Sequence, residues 1–217
     1  MCSSDLFPSH DIMKRTRQPL KKTPAMKVQK TSKKAVIYRQ PSNANVRLVK
    51  RHADLGVISV NNVTGNWGAY TFRLNQVAGY SELTAMYDRY KINAVEMIFY
   101  PRVSMIDSLA TVDRPGPARF LTAIDYTDAT PPTTFNEVRE YETCECTVIY
   151  EKHTRYIPYP KIVDSSSSTR SSYVSTGSPS TAHYGLKYAI EPTSSTGTGV
   201  MDYSVEAVFY MSCKDLK

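Results

Sequence analysis

The residues of this sequence that are best placed to do chemistry are cations. Between Lys14 and Arg51 the chain carries thirteen Lys and Arg residues and no Asp or Glu. After Arg51 the balance reverses, with fourteen basic and eighteen acidic residues. Ammonium and guanidinium groups on a flexible chain neutralise phosphates by releasing condensed counterions, and they need no fixed geometry to do so. The pattern therefore predicts a polyanion-binding arm joined to a near-neutral folding body.

We predict that ten side chains of the arm contact nucleic acid. They are Lys14, Arg15, Arg17, Lys21, Lys22, Lys27, Lys30, Lys33, Lys34 and Arg39. Tyr38 is the only aromatic residue after Phe7 in this segment, so stacking on bases contributes little and binding should tolerate any sequence. The alternative is a solvated basic tail without a specific partner. A subset also matches a nuclear import signal: Lys14, Arg15, Arg17, Lys33 and Lys34.

The arm is predicted to be disordered over residues 1–45. It has few large apolar side chains, so it buries too little surface to offset the entropy of ordering. Residues 1–12 differ from the rest because they hold the only acidic residues before Asp54. Our hypothesis is that they are an upstream extension and that the arm starts at Met13. Native protein whose measured mass begins at Met1 would contradict it.

Two smaller clusters suggest metal chemistry, and in each a structural explanation is favoured. Cys144, Cys146 and His153 lack the second pair of ligands that structural zinc requires, so we predict thiols on a core strand. Asp125 and Asp128, flanked by Glu137, suit calcium at a subunit contact, but a turn with Asx hydrogen bonds is the favoured interpretation. We predict no metal site and no cofactor.

The sequence lacks the patterns expected of a replication enzyme. Its four His residues are dispersed, no Gly-x-x-x-x-Gly-Lys phosphate loop occurs, and no Ser sits in a nucleophile-elbow pattern. No stretch approaches the ~18 apolar residues of a membrane span, and no apolar secretory signal opens the chain. We predict no catalytic residues and no membrane span.

In the body, residues 46–217, apolar residues recur at every second position, as in β-strands. Alternation of apolar and polar residues predicts about eight short strands, which favours an all-β, two-sheet sandwich in one domain. The clearest stripes start at Tyr70, at Val95, at Cys146, at Leu186 and at Tyr203. Weaker strands are predicted at Val46–Val60 and Phe120–Tyr126.

Two short helices are predicted in the connections between strands. The first has an apolar stripe made by Tyr80, Leu83, Tyr87 and Tyr90, with Ser81 as its cap. The second begins at the capping-box pair Thr134 and Glu137. The Ser-rich run from 164 to 181 is predicted to be a long exposed loop.

The strand–helix–strand unit of residues 72–101 resembles the capsid proteins of circular Rep-encoding single-stranded DNA viruses, the CRESS-DNA or circovirus-like group. The matching pieces are Phe72-x-Leu74, Tyr87-Asp88-x-Tyr90-Lys91-Ile92 and Val95-x-x-x-Phe99-x-Pro101. The segments 186–193 and 202–212 look like the last two strands of those proteins. Family arms are often rich in Arg, whereas this arm favours Lys.

The resemblance implies a single eight-stranded jelly roll, and it implies copies that assemble into a small icosahedral shell with the arm facing the packaged genome. The partners would be other copies of the chain, viral single-stranded DNA and host import factors, and the locations would be the virion and the host nucleus. Alternatives are a non-structural viral nucleic-acid-binding protein, the coat protein of a small RNA virus, and a lectin-type ligand-binding module.

Overall fold

The computed structural model describes residues 46–61, 63–102, 118–163, 169–170, 172–192 and 200–217. These residues form eight main strands and three strands of two residues each. The main strands are β1 Val46–Asn61, β2 Asn66–Phe72, β3 Tyr87–Pro101, β4 Arg119–Ala123, β5 Glu145–Val148, β6 His153–Pro158, β10 His183–Ile190 and β11 Val200–Leu216. The short ones are β7 Ile162–Val163, β8 Thr169–Arg170 and β9 Val174–Ser175. Helix α1 spans Tyr80–Met86, and helix α2 spans Phe135–Arg139.

In the described part of the chain, two large antiparallel sheets pack face to face, and β7 and β8 pair in a separate two-stranded sheet. One sheet has the order β1-β11-β3-β6, with β9 paired to the first residues of β3. The other has the order β2-β10-β4-β5. Successive long strands therefore mostly alternate between the sheets, and the first and last strands are neighbours in the five-stranded sheet. This arrangement is an eight-stranded jelly roll, as the resemblance implies.

The core lies between the two sheets and is largely aromatic. Phe99 of the five-stranded sheet meets Phe120 of the four-stranded sheet edge to face, with ring centroids 4.8 Å apart. Phe72 and Phe209 make a second edge contact across the sheets at 6.1 Å. Edge-to-face pairs add a specific geometry to the burial of large apolar area. The five residues of the predicted β11 stripe are all buried: Tyr203, Val205, Ala207, Phe209 and Met211.

The first predicted helix is shorter than its apolar stripe. Helix α1 ends at Met86, and Tyr87 already belongs to β3, so the stripe through Tyr87 and Tyr90 joins a helix to a strand. Ser81 is not its cap, because Gly79 precedes the helix in a left-handed conformation with φ of 71°. Both tyrosines are nevertheless buried, so the apolar residues of the helix and of the start of β3 form one uninterrupted pattern in the sequence.

Three other predicted elements change their limits. Strand β2 ends at Phe72, and Leu74 lies in a short 3-10 helix, Leu74–Gln76, although it is fully buried. The strand predicted to run to Tyr126 ends at Ala123. The run from 164 to 181 is not one loop, since β8 and β9 lie within it. No helix in the described part of the chain is long and apolar enough to cross a bilayer.

Candidate nucleic-acid interface

All ten residues predicted to contact nucleic acid precede Val46 and lie outside the described residues. So do the five residues of the predicted import signal and the predicted disorder of residues 1–45. The described body begins at Val46, the first residue of β1. The part of the sheet that surrounds this residue is therefore where the arm joins the folded body.

A cluster of cations occupies one end of the outward face of the five-stranded sheet. Val46 pairs with Lys214 of β11, and Lys214 pairs in turn with Arg89 of β3. One row further along, Ser212 is the shared neighbour of Leu48 and Lys91. Because Met211 and Cys213 point into the core, their even-numbered neighbours point outward. We call Lys50, Arg89, Lys91 and Lys214 the basic end of the sheet.

Three of these cations are seated over tyrosine rings. The ammonium group of Lys214 lies 4.4 Å from the centroid of the Tyr173 ring. Lys50 lies 5.5 Å from the centroid of Tyr210, and Lys91 lies 5.8 Å from that of Tyr159. A cation over an aromatic face is attracted by the ring quadrupole, so each ammonium group has a preferred position before any ligand arrives.

The opposite end of the same outward face carries charges of both signs. Asp54 of β1 and Glu206 of β11 are direct cross-strand partners. Like charges in that arrangement destabilise a sheet pair slightly. Next to them, Arg102 donates a hydrogen bond to the hydroxyl of Ser204 at 2.7 Å, and Lys152 lies over a tyrosine ring in the same part of the face. The outward face is therefore positive where the chain enters the body and of mixed charge at its other end.

The outer face of the four-stranded sheet carries a second charge cluster that the sequence did not reveal. Lys187 of β10 alternates with core residues, yet its side chain is only 5% exposed. Its ammonium group lies 2.9 Å from a carboxylate oxygen of Asp125 and 3.1 Å from one of Asp128. It also donates to the hydroxyl of Tyr141 at 3.0 Å, and that hydroxyl donates to Asp125 at 3.0 Å.

Helix α2 explains why Lys187 is covered. Val138 of the helix packs against Leu121, Ala123 and Ala189 on the outer face of the sheet. The helix therefore covers this part of the sheet. The helix begins as the sequence predicts, because the Thr134 hydroxyl accepts a hydrogen bond from the Glu137 amide. The Glu137 carboxylate caps differently, accepting from the amide and hydroxyl of Thr133.

Hydrogen bonds set the charge states of this cluster. Desolvation alone would raise the pKa of Asp125, but hydrogen bonds from Thr127, Lys187 and Tyr141 outweigh it and lower the pKa to about 2. Desolvation would likewise lower the pKa of Lys187, and hydrogen bonds to Asp125, Tyr141 and Asp128 raise it instead. Both groups therefore stay charged at neutral pH as a desolvated ion pair.

The turn interpretation of Asp125 and Asp128 is confirmed. Asp125 accepts from the amide of Thr127 at 2.8 Å, and Asp128 accepts from the amide of Thr130 at 2.9 Å. These are Asx turns. The oxygens proposed for calcium are thus engaged by backbone amides and by Lys187. In the described ranges, no group of three His, Cys, Asp or Glu side chains is arranged to hold a metal ion.

The prediction of core thiols on β5 is wrong. Cys146 is exposed and Cys144 is half-buried beside the Leu121 and Val138 cluster. The register of β5 turns Thr147 inward instead, where its hydroxyl lies 2.9 Å from Nδ1 of His153. His153 therefore faces the core, on the opposite side of β5 from Cys146, and the three residues proposed as zinc ligands do not converge.

Two histidines are buried in the core. His153 packs against Phe120 and hydrogen-bonds the hydroxyls of Thr122 and Thr147, at 2.7 and 2.9 Å. Its pKa is lowered to about 4, mainly by burial, with Glu145 opposing the shift and Arg155 adding to it. His183 points Nδ1 at the carbonyls of Phe72 and Thr181, and burial lowers its pKa as well.

This burial makes stability depend on pH between about 6.5 and 4. In that pH range His153 binds a proton in the unfolded chain but not in the folded one. The free energy of unfolding must therefore fall as the pH falls. The substitution His153→Gln should reduce the slope of the free energy of unfolding against pH by up to about 1.4 kcal/mol per pH unit. Urea unfolding of the dissociated subunit at several pH values measures it. The exposed His52→Gln is the control, and equal slopes in both variants would contradict the assignment.

The comparisons with known proteins identify the family. A family model for the circovirus capsid protein matches residues 15–217 of this chain. The chain belongs to the circovirus capsid protein family. It is accordingly a viral capsid protein, a structural component of the virion and not an enzyme. The resemblance seen in residues 72–101 is thereby confirmed. No curated protein sequence matches the chain.

Solved capsid proteins share the fold at low sequence identity. The decameric BFDV capsid protein is 12% identical with a TM-score of 0.55, over 78% of this chain and 99% of that one. The 60-mer BFDV capsid protein is 14% identical with a TM-score of 0.53, over 80% and 96%. The structure of Cocksfoot mottle virus is 8% identical with a TM-score of 0.54, over 80% and 97%. At these identities the likeness concerns the fold.

Proposed function

We propose that copies of this capsid protein close into a small icosahedral shell and package single-stranded DNA through the basic arm of residues 1–45. The observation that carries the proposal is the separation of charge within a chain of this family. Thirteen cations and no acidic residue lie between Lys14 and Arg51, ten of these cations precede the first strand of the jelly roll, and the chain after Arg51 has a slight negative excess. A segment built in this way neutralises phosphates without reading their sequence.

The homo-oligomeric shell is supported by the assemblies that the BFDV capsid protein forms. That protein has been crystallised as a decamer and as a 60-mer. Sixty copies are what icosahedral rotations generate from one subunit, and closed symmetry requires a subunit with complementary edges. A jelly roll provides a rigid wedge with loops at both ends on which such edges are built.

Sedimentation and electron microscopy test the proposal together. Purified full-length protein, examined over a range of salt and pH with and without single-stranded DNA, should form closed particles of one size. Nucleic acid extracted from particles that assembled in cells should be destroyed by DNase and should survive RNase. Oligomers of a few subunits under every condition would contradict the shell, and RNase-sensitive contents would replace DNA by RNA as the cargo.

Nuclear import is the second activity proposed for the arm. Lys14, Arg15 and Arg17 form one basic cluster, and Lys33 and Lys34 form another, which is the composition that import receptors bind. Import would deliver the capsid protein to a nuclear assembly site. A fluorescent reporter that carries residues 13–40 and remains in the cytoplasm would contradict this role.

A further inference from the structure

We propose that the basic end of the sheet is a second phosphate-binding site for single-stranded nucleic acid, built into the folded body and separate from the arm. The site consists of Lys50, Lys91 and Lys214 on the outward faces of three neighbouring strands. It deepens the proposed packaging function and rests on it. It differs from the arm in one physical respect, which is that its cations are held in place.

The tyrosine rings beneath them give these ammonium groups preferred positions. Lys214 lies over Tyr173, Lys50 over Tyr210 and Lys91 over Tyr159, at 4.4 to 5.8 Å from the ring centroids. A free lysine side chain loses up to about 2 kcal/mol of rotamer entropy when it is fixed. Because the contact with a tyrosine ring already restricts each lysine, part of this entropy is lost before a phosphate binds. The body site is therefore preorganised, whereas the arm residues are predicted to order only on binding.

In the described ranges these three lysines are also not engaged in ion pairs with carboxylates. Within the described ranges, the ion pairs of lysines involve Lys187 and Lys217, and none involves Lys50, Lys91 or Lys214. Arg89, their neighbour, is different because it lies 3.5 Å from Asp215. Sheet geometry separates the Cα atoms of Lys91 and Lys214 by roughly 8 Å and those of Lys50 and Lys214 by roughly 14 Å, a spacing suited to successive groups on an extended polyanion.

Chain connectivity favours nucleic acid over another partner. The cationic segment that ends at Arg51 passes through Val46, which is the cross-strand neighbour of Lys214. A polynucleotide gripped by the arm is thereby tethered to the entrance of this face and reaches the site at a high effective concentration. The competing occupant is the pair of carboxylates that Asp54 and Glu206 form on a second copy. It has complementary charge but no such tether.

The test measures how binding to single-stranded DNA depends on salt in the full-length protein. Anisotropy of a labelled oligothymidylate should give a log–log salt slope that is shallower by about 1.4 in the double variant Lys91→Gln/Lys214→Gln, since each phosphate contact contributes about 0.7. The control Arg139→Gln/Lys152→Gln removes the same charge from helix α2 and from the turn before β6. Lys152 is a close match because it too lies over a tyrosine, 5.1 Å from the centroid of Tyr100.

The outcomes separate this site from the arm and from a subunit contact. Lys91→Arg/Lys214→Arg should restore the slope, which a merely structural role would not require. An unchanged slope in the Gln double variant, or an equal change in the control, would overturn the site while leaving the effect of neutralising the arm intact. Loss of assembly with an unchanged slope would overturn it in favour of a contact between copies. Failure of the packaging proposal itself would appear as no loss of binding when the arm is neutralised.

Discussion

Affinity of the full-length protein for single-stranded DNA should fall about 10⁵-fold when salt is raised from about 50 mM to about 200 mM. The reason is the number of phosphates that the arm can neutralise. If the ten predicted cations engage, the arm contributes about −7 to the log–log salt slope and the three lysines of the basic end add about −2, because each single-strand contact contributes about −0.7. Replacing all ten with Gln should flatten the slope to the contribution of the body, about −2 if the three lysines of the basic end bind. Fluorescence anisotropy at subunit concentrations below assembly gives both slopes.

The matched control keeps the composition of the arm and shuffles its order. Because the contacts are electrostatic and no aromatic ladder interleaves the cations, the shuffled arm should bind with the native slope and affinity. A shuffled arm that binds as weakly as the neutralised one would show that the order of residues matters. A protein with the neutralised arm that retains the native slope would place the phosphate contacts elsewhere in the chain.

Unfolding of the body should become easier by about 3–5 kcal/mol when Lys187 is replaced by Met. The substitution has a similar volume but removes the cation from between Asp125 and Asp128, so Asp125 is left charged and desolvated under helix α2. For a domain of this size the melting temperature should fall by roughly 10 °C. Thermal melts followed by circular dichroism at neutral pH, under conditions where the subunit is not assembled, measure the loss.

Two variants show whether the loss comes from the buried charge. Lys152→Met removes an exposed lysine and should change the melting temperature little. Adding Asp125→Asn to Lys187→Met should recover part of the loss, because the uncompensated charge is gone. The native protein should also lose this stabilisation in acid, since the folded pKa of Asp125 is about 2 and its ordinary value is 3.8. The loss should begin near pH 4 and be complete near pH 2. A melt of Lys187→Met equal to that of the native protein would contradict the buried ion pair.

Much of the body was predictable because its strands alternate against one core. The residues from Tyr203 to Met211 alternate without interruption, and every second one is buried. The start of α2 was predictable because Thr134 and Glu137 stand at the spacing that an N-terminal cap requires. These signals are local, and they survive in the sequence because each depends on neighbours along the chain.

The errors arose where contacts between distant parts of the chain override a local pattern. Lys187 alternates with Leu186 and Tyr188 as a solvent-facing residue should, yet α2 covers it. Cys146 sits in an alternating stripe, but β5 is an edge strand whose register turns Thr147 to the core. A period of two gives two faces of a strand; it does not say which face is buried when a helix covers the outer one.

The candidate interface shows the same division. The cations of the arm were visible in the sequence because they lie in one continuous segment free of acids, from Lys14 to Arg39. The basic end of the sheet was not visible, since Lys50, Lys91 and Lys214 come from three strands far apart in the chain. Only the register that places Ser212 beside Leu48 and Lys91 brings them together. Antiparallel pairing of the first and last strands is a property of the whole fold.

The central claim is that the jelly roll forms the shell and that the basic arm packages nucleic acid inside it. The most direct test compares particles of the native chain and of the chain with all ten arm cations replaced by Gln, after nuclease treatment. Both should appear as closed shells of one diameter by electron microscopy, and absorbance should show protected nucleic acid in the native particles alone. Neutralised particles that protect as much nucleic acid as native ones would contradict the account.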